Sequence, residues 1–360
     1  MEVFLDRCDD YESCKEVIED AIEALGGVDN FVKDKEKILI NPNLLKGASP
    51  EKAVVTHPNF IISVIKVFEE KDIEIIVGDS PAGRMKEKNL EKHYEKSGWK
   101  KIEEVTSARL NYDVDRTKKT LKDGKTKKNF EILKIVDEVD GIINLPKLKT
   151  HSLTVFTGAV KNQYGLVPGL TKAAYHGQFK KLNQFGKMLL DVNDLVKTRL
   201  SIMDGIVGME GNGPSGGEPV DLNCIIASED PIAVDYTACK VSGIPPQKVP
   251  TLMEAEVDFE EIAQLNRSPN SFERDIEYPS GGAAPLRIPD VISGVFANFY
   301  LDRPKLDRER CIKCWRCHEM CPENAIKKKD YGPKISWWKC IRCYSCSEGC
   351  PEEALLTSSA

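Results

Sequence analysis

Residues 141–151 read GIINLPKLKTH, an uncharged apolar run broken by Pro146 and followed by a polar tail in which Lys147, Lys149 and His151 fall on alternate positions. A short apolar run bounded by Gly and Pro, with no polar alternation, suits a strand buried on both faces of a sheet. Similar runs occur at Val3 to Leu5, Ile38 to Ile40, Ile73 to Val77, Leu200 to Met203 and Cys224 to Ala227. Helical patterns lie between them. One spans Glu12 to Leu25 and stops at Gly26-Gly27, and a second spans Pro58 to Glu70 with Thr56 or His57 as its start. Others run from Gln178 to Lys197 and from Pro231 to Val241, the last with Asp230 as N-cap and proline at the first helical position. This alternation predicts an α/β fold, a mainly parallel sheet with helices on both faces.

In open parallel sheets the ligand crevice lies at the carboxyl ends of the strands. Here those ends read Asn41-Pro42-Asn43, Gly78-Asp79-Ser80, Lys147 to His151, Asp204-Gly205 and Ser228-Glu229-Asp230. If residues 147–151 stay extended, Lys147, Lys149 and His151 share one face. Two cations and an imidazole suit a carboxylate or phosphate ligand, or a base with a shifted pKa, against the plainer reading of a solvated basic strand end. Lys161 to Gly165 (KNQYG) and Tyr175-His176-Gly177 form a second polar and aromatic group, equally readable as a pocket lining or as loop. Residues 205–217, GIVGMEGNGPSGG, hold six glycines; such a loop either gathers backbone amides on an anion or serves as a flexible turn. It matches neither a phosphate-binding loop nor a dinucleotide fingerprint. Asp79 and Asp204 precede turn residues, where aspartate is common without a metal. His57 reads as a helix start, His93 as surface, and Cys224 and Cys239 as buried small hydrophobes.

The segment from about Val105 to Lys134 is lysine-rich and predicts an exposed hairpin with a turn at Asp123-Gly124. Residues 266–298 are rich in Pro, Gly and Ser and read as a linker or wrapping segment. The expected division is an α/β domain over residues 1–298 and a small α+β ferredoxin-like domain over 299–360.

Eight of the twelve cysteines fall in that second unit. Cys311, Cys314, Cys317 and Cys321-Pro322 repeat as Cys340, Cys343, Cys346 and Cys350-Pro351, the two-cluster ferredoxin spacing. Three thiolates at this spacing wrap one 4Fe–4S cubane, and the cysteine before proline reaches across to the other. The first cluster is therefore expected on Cys311, Cys314, Cys317 and Cys350, the second on Cys340, Cys343, Cys346 and Cys321. Competing readings are a c-type haem at Cys314-Trp315-Arg316-Cys317-His318 and zinc; the first strands the other cysteines, and the Cys-Pro endings disfavour the second. Lys313, Arg316, Lys339 and Arg342 sit beside the ligands, suited to steadying reduced clusters, docking an acidic donor, or solubility alone.

Length and composition bound the function. The chain has 360 residues, 41% hydrophobic and 30% charged, enough for two packed domains. A net charge of −6 argues against a nucleic-acid partner. No apolar run approaches a membrane span, and the acidic start MEVFLDRCDD lacks a signal core, so a cytoplasmic, reducing location is expected.

The runs INPNLL, VTHPN, VGDSPAG, INLPKLKTHSLTVFTGAVKNQYG, IMDGIVGMEGNGPSGGEP and ASEDPIAVDYTA resemble the domain-of-unknown-function 362 family over roughly residues 3–297. The C-terminal unit resembles a bacterial-type two-cluster ferredoxin, a fusion seen in that family in anaerobic bacteria and archaea. The resemblance points to Lys147, Lys149 and His151 as catalytic candidates, with Gly208, Glu210, Gly211 and Gly213 as an anion or ligand loop. The leading expectation is an iron–sulfur oxidoreductase that passes low-potential electrons to or from a small anionic substrate in the α/β domain. Lys147 and Lys149 would hold that substrate and His151 would exchange its proton. Its other partner would be an electron donor or acceptor protein. The alternative is a non-catalytic electron-transfer or maturation subunit, and a third reading is a non-redox enzyme with structural clusters.

Overall fold

A computed structural model of the chain describes residues 1–272, 274–279 and 303–356. The main sheet takes its strands from most of the larger region. They are β1 (Glu2–Arg7), β2 (Lys37–Pro42), β3 (Glu74–Val77) and β4 (Arg109–Leu110). A hairpin, β5 (Arg116–Thr120) and β6 (Asn129–Leu133), interrupts the series at the lysine-rich segment, as expected, but only β5 faces outward: Phe130, Ile132 and Leu133 of β6 are buried in the core. The sheet resumes with β7 (Gly141–Leu145), β8 (Lys147–His151), β9 (Val155–Thr157), β10 (Leu200–Glu210), β11 (Glu218–Ser228) and β12 (Ala263–Gln264). The order is β12-β1-β11-β10-β7-β2-β3-β4, with β8 paired to β10 and to β9. Pairings from β10 through β7, β2 and β3 to β4 are parallel, while β1, β11 and β10 form an antiparallel ladder.

Both faces are covered, and successive residues show it. Ile38, Ile40, Ile75, Val77, Ile143 and Leu145 join one core with the helices Cys14–Ala24 and Pro58–Phe68. Leu39, Ile76 and Ile142, on the intervening positions, join another with the helix Leu182–Val196. Under the antiparallel part, Val3, Leu5, Met203, Cys224 and Ile226 pack on the helix Pro231–Ser242, which Asp230 caps by accepting from Ile232 N at 2.7 Å.

Three sequence expectations need correction, and one left between two alternatives is resolved. The helix expected from Gln178 to Lys197 begins only at Leu182 and runs to Val196, because Phe179 leaves the helical conformation and Lys181 is extended; a separate helix, Gly169–Gln178, ends where it was expected to start. The strands at 200–203 and 224–227 run on to Glu210 and back from Glu218, so the glycine-rich stretch is mostly hairpin. Gly205 and Gly208 are required by close packing across the hairpin. A Cβ on Gly205 would lie 2.7 Å from Cys224 Sγ, and one on Gly208 2.6 Å from Leu222 Cδ1. His93 is buried, not surface, and its imidazole pKa falls to about 4 through burial, with Arg316 adding to the shift. Of the two alternatives for 266–298, the described part follows the wrapping segment. Leu265 and Arg267 donate to Val3 and Leu5 along β1, and Ile276 enters the core; residues 280–298 lie outside the described residues.

The C-terminal region pairs its first and last strands, β13 (Lys305–Leu306) with β16 (Leu355–Leu356), around the hairpin β14 (Ile326–Lys329) and β15 (Gly332–Ile335). It sits over the carboxyl ends of β2, β3 and β8. Lys46 binds Cys350 O at 3.1 Å and Glu353 at 3.3 Å, and Lys180 pairs with Glu323 at 2.7 Å. Gly177 is part of the seam: a Cβ there would lie 2.8 Å from Pro322 Cβ. Gly177→Val is therefore expected to cost about 1–3 kcal/mol of seam stability by overpacking. Hydrogen exchange should show it as faster exchange confined to residues 169–178 and 316–323.

Candidate functional site

The cysteine loops are built as two copies 29 positions apart. Lys313 and Trp315 adopt left-handed backbone in the first copy, and Arg342 and Tyr344 do so in the second. Short helices follow, Arg316–Glu319 and Ser345–Glu348. Non-glycine residues at positive φ cost energy unless something holds them, and a chelated cluster is such a restraint. The thiols group across the copies. Cys321, Cys340, Cys343 and Cys346 line one pocket, and burial pushes the Cys317 thiol up to about 12, with Cys350, Cys314 and Cys311 adding to the shift. Donors are aimed at sulfur, Ala325 N at Cys321 Sγ (3.1 Å) and Ala354 N at Cys350 Sγ (3.3 Å). Such amide bonds stabilise thiolate ligands. The residues fit two clusters. His318 Nδ1 lies 2.7 Å from Ile326 O.

The second constellation stands at the carboxyl ends of β2, β3 and β7, where Asn41 and Asn144 are in register. Asn162 bridges these ends, donating to Asn41 O (3.0 Å) and Asn144 Oδ1 (2.8 Å) and accepting from Asn43 Nδ2 (2.9 Å). Beyond this floor lies a pocket lined by Asp79, Thr157, Lys161, Tyr164, Lys172 and His176 of the large region. Its roof is Met320, Ser345 and Glu348 of the C-terminal region. Ser345 Oγ also lies 3.4 Å from Cys343 Sγ. One residue thus touches both the pocket and a thiol of the second set.

Two polar groups at this pocket lack partners. Thr157 Oγ1 is buried with no hydrogen bond, and the Lys161 ammonium makes no ion pair or hydrogen bond among the described residues. Burial pulls the Lys161 ammonium pKa down, with Glu348 and Asp79 opposing. Burial takes Lys172 down to about 8, again against Asp79 and Glu348. Lys172 Nζ donates to Ser80 O. Burial raises the Asp79 carboxyl, partly offset by Lys172 and by the amides of Leu44 and Ser80, each 2.8 Å away. His176 stacks on Phe185 with centroids 4.4 Å apart and is kept neutral by burial, its pKa near 4. Burial also works against charge on Glu348, but His151, Lys161 and His176 outweigh it and hold the carboxyl well below its usual range.

Residues 147–151 form the extended strand β8, which sets Lys147, Lys149 and His151 at alternate positions, and each of the three meets groups of the protein itself. Lys147 is fully used: its Nζ lies 2.8 Å from both Tyr11 OH and Asp204 Oδ2. Lys149 Nζ donates to Asn43 Oδ1 (2.7 Å) and Val54 O (2.6 Å), and burial pushes its pKa well down. His151 Nδ1 accepts from Leu153 N (3.0 Å), and Nε2 stands 3.1 Å from Glu348 Oε1, poorly aligned for a hydrogen bond. Burial and Lys161 lower its pKa to about 4. The proposed anion loop is also occupied. Gly211 N donates to Glu277 O at 2.6 Å, Gly213 N to Gly211 O at 2.9 Å, and Glu210 Oε2 accepts from Glu277 N at 2.9 Å. Gly208 lies within β10. Gly213 lines a wider outer crevice with Ser152, Arg310, Ser347 and Glu348. Sequence reading caught Lys161, Tyr164 and His176 only as a loose group. It missed Thr157, Lys172 and Glu348, whose spacing carries no periodic signal.

The family model for a domain of unknown function (DUF362) matches residues 38–240, and that for a 4Fe-4S dicluster domain matches residues 303–351. A thylakoid-associated protein of Synechocystis sp. is 33% identical over 237 residues, 65% of this chain and 72% of that protein. The pyruvate synthase subunit PorD of Methanocaldococcus jannaschii is 50% identical over 30 residues, 8% of this chain and 35% of that subunit. Among solved structures, the lactate racemase apoprotein from Thermoanaerobacterium thermosaccharolyticum aligns with a TM-score of 0.44 at 15% identity, covering 67% of this chain and 57% of that one. No described helix is long and apolar enough to cross a membrane.

Proposed function

This chain belongs to the domain-of-unknown-function 362 family, carries a dicluster domain for two 4Fe–4S clusters, and on that premise we propose an oxidoreductase. It exchanges low-potential electrons with a small anionic ligand held in the pocket between its two regions. The domain boundary near residue 298 and the ligand sets Cys311, Cys314, Cys317, Cys350 and Cys340, Cys343, Cys346, Cys321 belong to the same proposal. Bound clusters supply one-electron transfer at low potential. The residues of the chain do the rest. Lys161 and Thr157 Oγ1, the unpartnered pair, hold the anion. Met320, Ser345 and Glu348 close the pocket to water. Lys172, with a pKa near 8, is the group suited to giving or taking a proton near neutral pH.

The observation that carries this reading is the shared wall: Ser345 lines the pocket and sits beside Cys343. An anion there changes the field at the second cluster. Addition of formate, acetate, oxalate or phosphate to the reduced protein, one at a time, should shift the second cluster's electron paramagnetic resonance signal for the anion that binds. Lys161→Met with Thr157→Val should weaken that response about tenfold or more at unchanged iron content. No shift from any small anion, or a shift that survives the double replacement, counts against the pocket. A second reading, the non-catalytic electron-transfer or maturation subunit, is favoured by Trp337 and Trp338, which are 68% and 94% exposed. It predicts stable co-purification with a larger enzyme and no anion response.

A further inference from the structure

The two thiol sets differ in what faces them. The second set is turned toward the pocket, through Cys343 and Ser345. In the first, Cys314 is exposed, and it alone among the eight has that degree of access; Cys317, Cys346 and Cys350 are buried and the others intermediate. Exposed Arg308 and Arg310 precede this loop, and exposed Ile312 and Lys313 lie within it. The neighbouring strand β14 adds exposed Lys327, Lys328 and Lys329, with Lys328 Nζ 5.6 Å from the centre of the Trp315 ring. Arg310 is paired with Asp307 at 3.4 Å, and Arg308 lies over the Tyr331 ring at 4.8 Å. Lys313, Lys327, Lys328 and Lys329 make no ion pair among the described residues. The nearby acids Glu309 and Asp330 are fewer. Residues 303–356 hold twelve Lys and Arg against eight Asp and Glu, in a chain whose net charge is −6. Two oxidised clusters bring about −4 in total, which these cations offset while their long side chains remain the outermost charges at the rim.

We infer that the surface around Cys314, with Ile312 at its centre and Lys313, Lys327, Lys328 and Arg308 as its rim, docks a small acidic one-electron carrier protein. The inference rests on the reading that the chain passes electrons, and not on which ligand fills the pocket. An apolar contact ringed by mobile cations is the pattern of a fast, weak electron-transfer encounter, in which charge steers approach and little area is buried. One electron crosses per encounter: the carrier is oxidised by one unit as the chain is reduced by one, or the reverse, and no proton or bond is involved. The exposed thiol set is then the outer end of the relay and the pocket-facing set its inner end.

The test uses the full cluster-loaded chain and an acidic flavodoxin, reduced to its hydroquinone, as probe. Stopped-flow bleaching of the clusters gives the second-order rate, and surface plasmon resonance gives the affinity. Both should fall roughly tenfold or more between about 50 and 500 mM salt. Lys313→Glu with Lys328→Glu should lower both roughly tenfold at low salt, with iron content and reduction by dithionite unchanged. Lys100→Glu with Lys101→Glu, on the opposite region, should do neither. Salt-independent rates, or an unaffected charge-reversal variant, overturn the inference. So does loss of binding to anionic phospholipid vesicles without loss of the flavodoxin rate, which reassigns the patch to a membrane. A variant that merely disperses a self-associated form likewise overturns it. Failure of dithionite itself to reduce the wild-type clusters counts instead against the electron-passing reading.

Discussion

Cys321→Ser is expected to empty the second cluster and spare the first, although Cys321 lies in the first cysteine run. Iron should fall from about eight to about four per chain. Cys321 shares its pocket with Cys340, Cys343 and Cys346, and not with Cys311, Cys314 or Cys317. The decisive comparison is non-additivity. Cys321→Ser added to Cys340→Ser and Cys343→Ser should take no further iron, because all three act on one cluster. Added to Cys311→Ser and Cys314→Ser it should leave almost none. The reverse pattern would mean that each run keeps its own cluster. The loss should also be structural. The apolar core of this region is Cys317, Ile326, Cys346 and Leu355, too small to fold unaided. Without metal the seam at Lys46, Lys180 and His151 should open, seen as faster hydrogen exchange at residues 147–151.

Apolar runs were legible because doubly buried strands put apolar residues on successive positions: Ile38 to Ile40 and Ile142-Ile143 serve two cores at once. The cysteine repeat was legible for a chemical reason, since chelation fixes spacing whatever surrounds it. The extended face of Lys147, Lys149 and His151 was legible too, because alternation is a property of the strand itself. What those side chains do was not. Their partners Asp204, Val54 O and Glu348 come from elements 57, 95 and 197 positions away. The pocket was hidden for the same reason. Thr157, Lys161, Lys172 and Glu348 sit in separate short elements, where a polar residue looks like ordinary loop. Glycines 205 and 208 misled in the other direction. Their signal was cross-strand crowding by Cys224 and Leu222, which sequence cannot tell from a loop that cradles an anion.

Asp204→Ala should cost about 3–5 kcal/mol of stability, the largest loss expected from one exposed-surface-free substitution in the α/β region. Asp204 and Lys147 are both fully buried and 2.8 Å apart. Asp204 also accepts from Tyr11 OH (3.0 Å) and His57 N (3.0 Å), and Tyr11 stacks on His57 with centroids 3.7 Å apart. Removing the carboxylate strands an ammonium for which burial already opposes charge. Lys147→Met with Asp204→Leu should recover most of that loss, since an apolar pair of similar volume avoids both desolvation costs. Urea unfolding followed by far-ultraviolet circular dichroism reads all three proteins. The same set separates structure from chemistry. If Lys147 held the ligand, the paired replacement would abolish the anion response while leaving stability near that of the wild type. The geometry requires the opposite for a structural pair: stability lost in the single variant, regained in the double, and an anion response that follows Lys161 throughout. In that outcome Lys147 anchors β8 against β10, and the proposed ligand-holding cation is Lys161, whose side chain has no ion pair among the described residues.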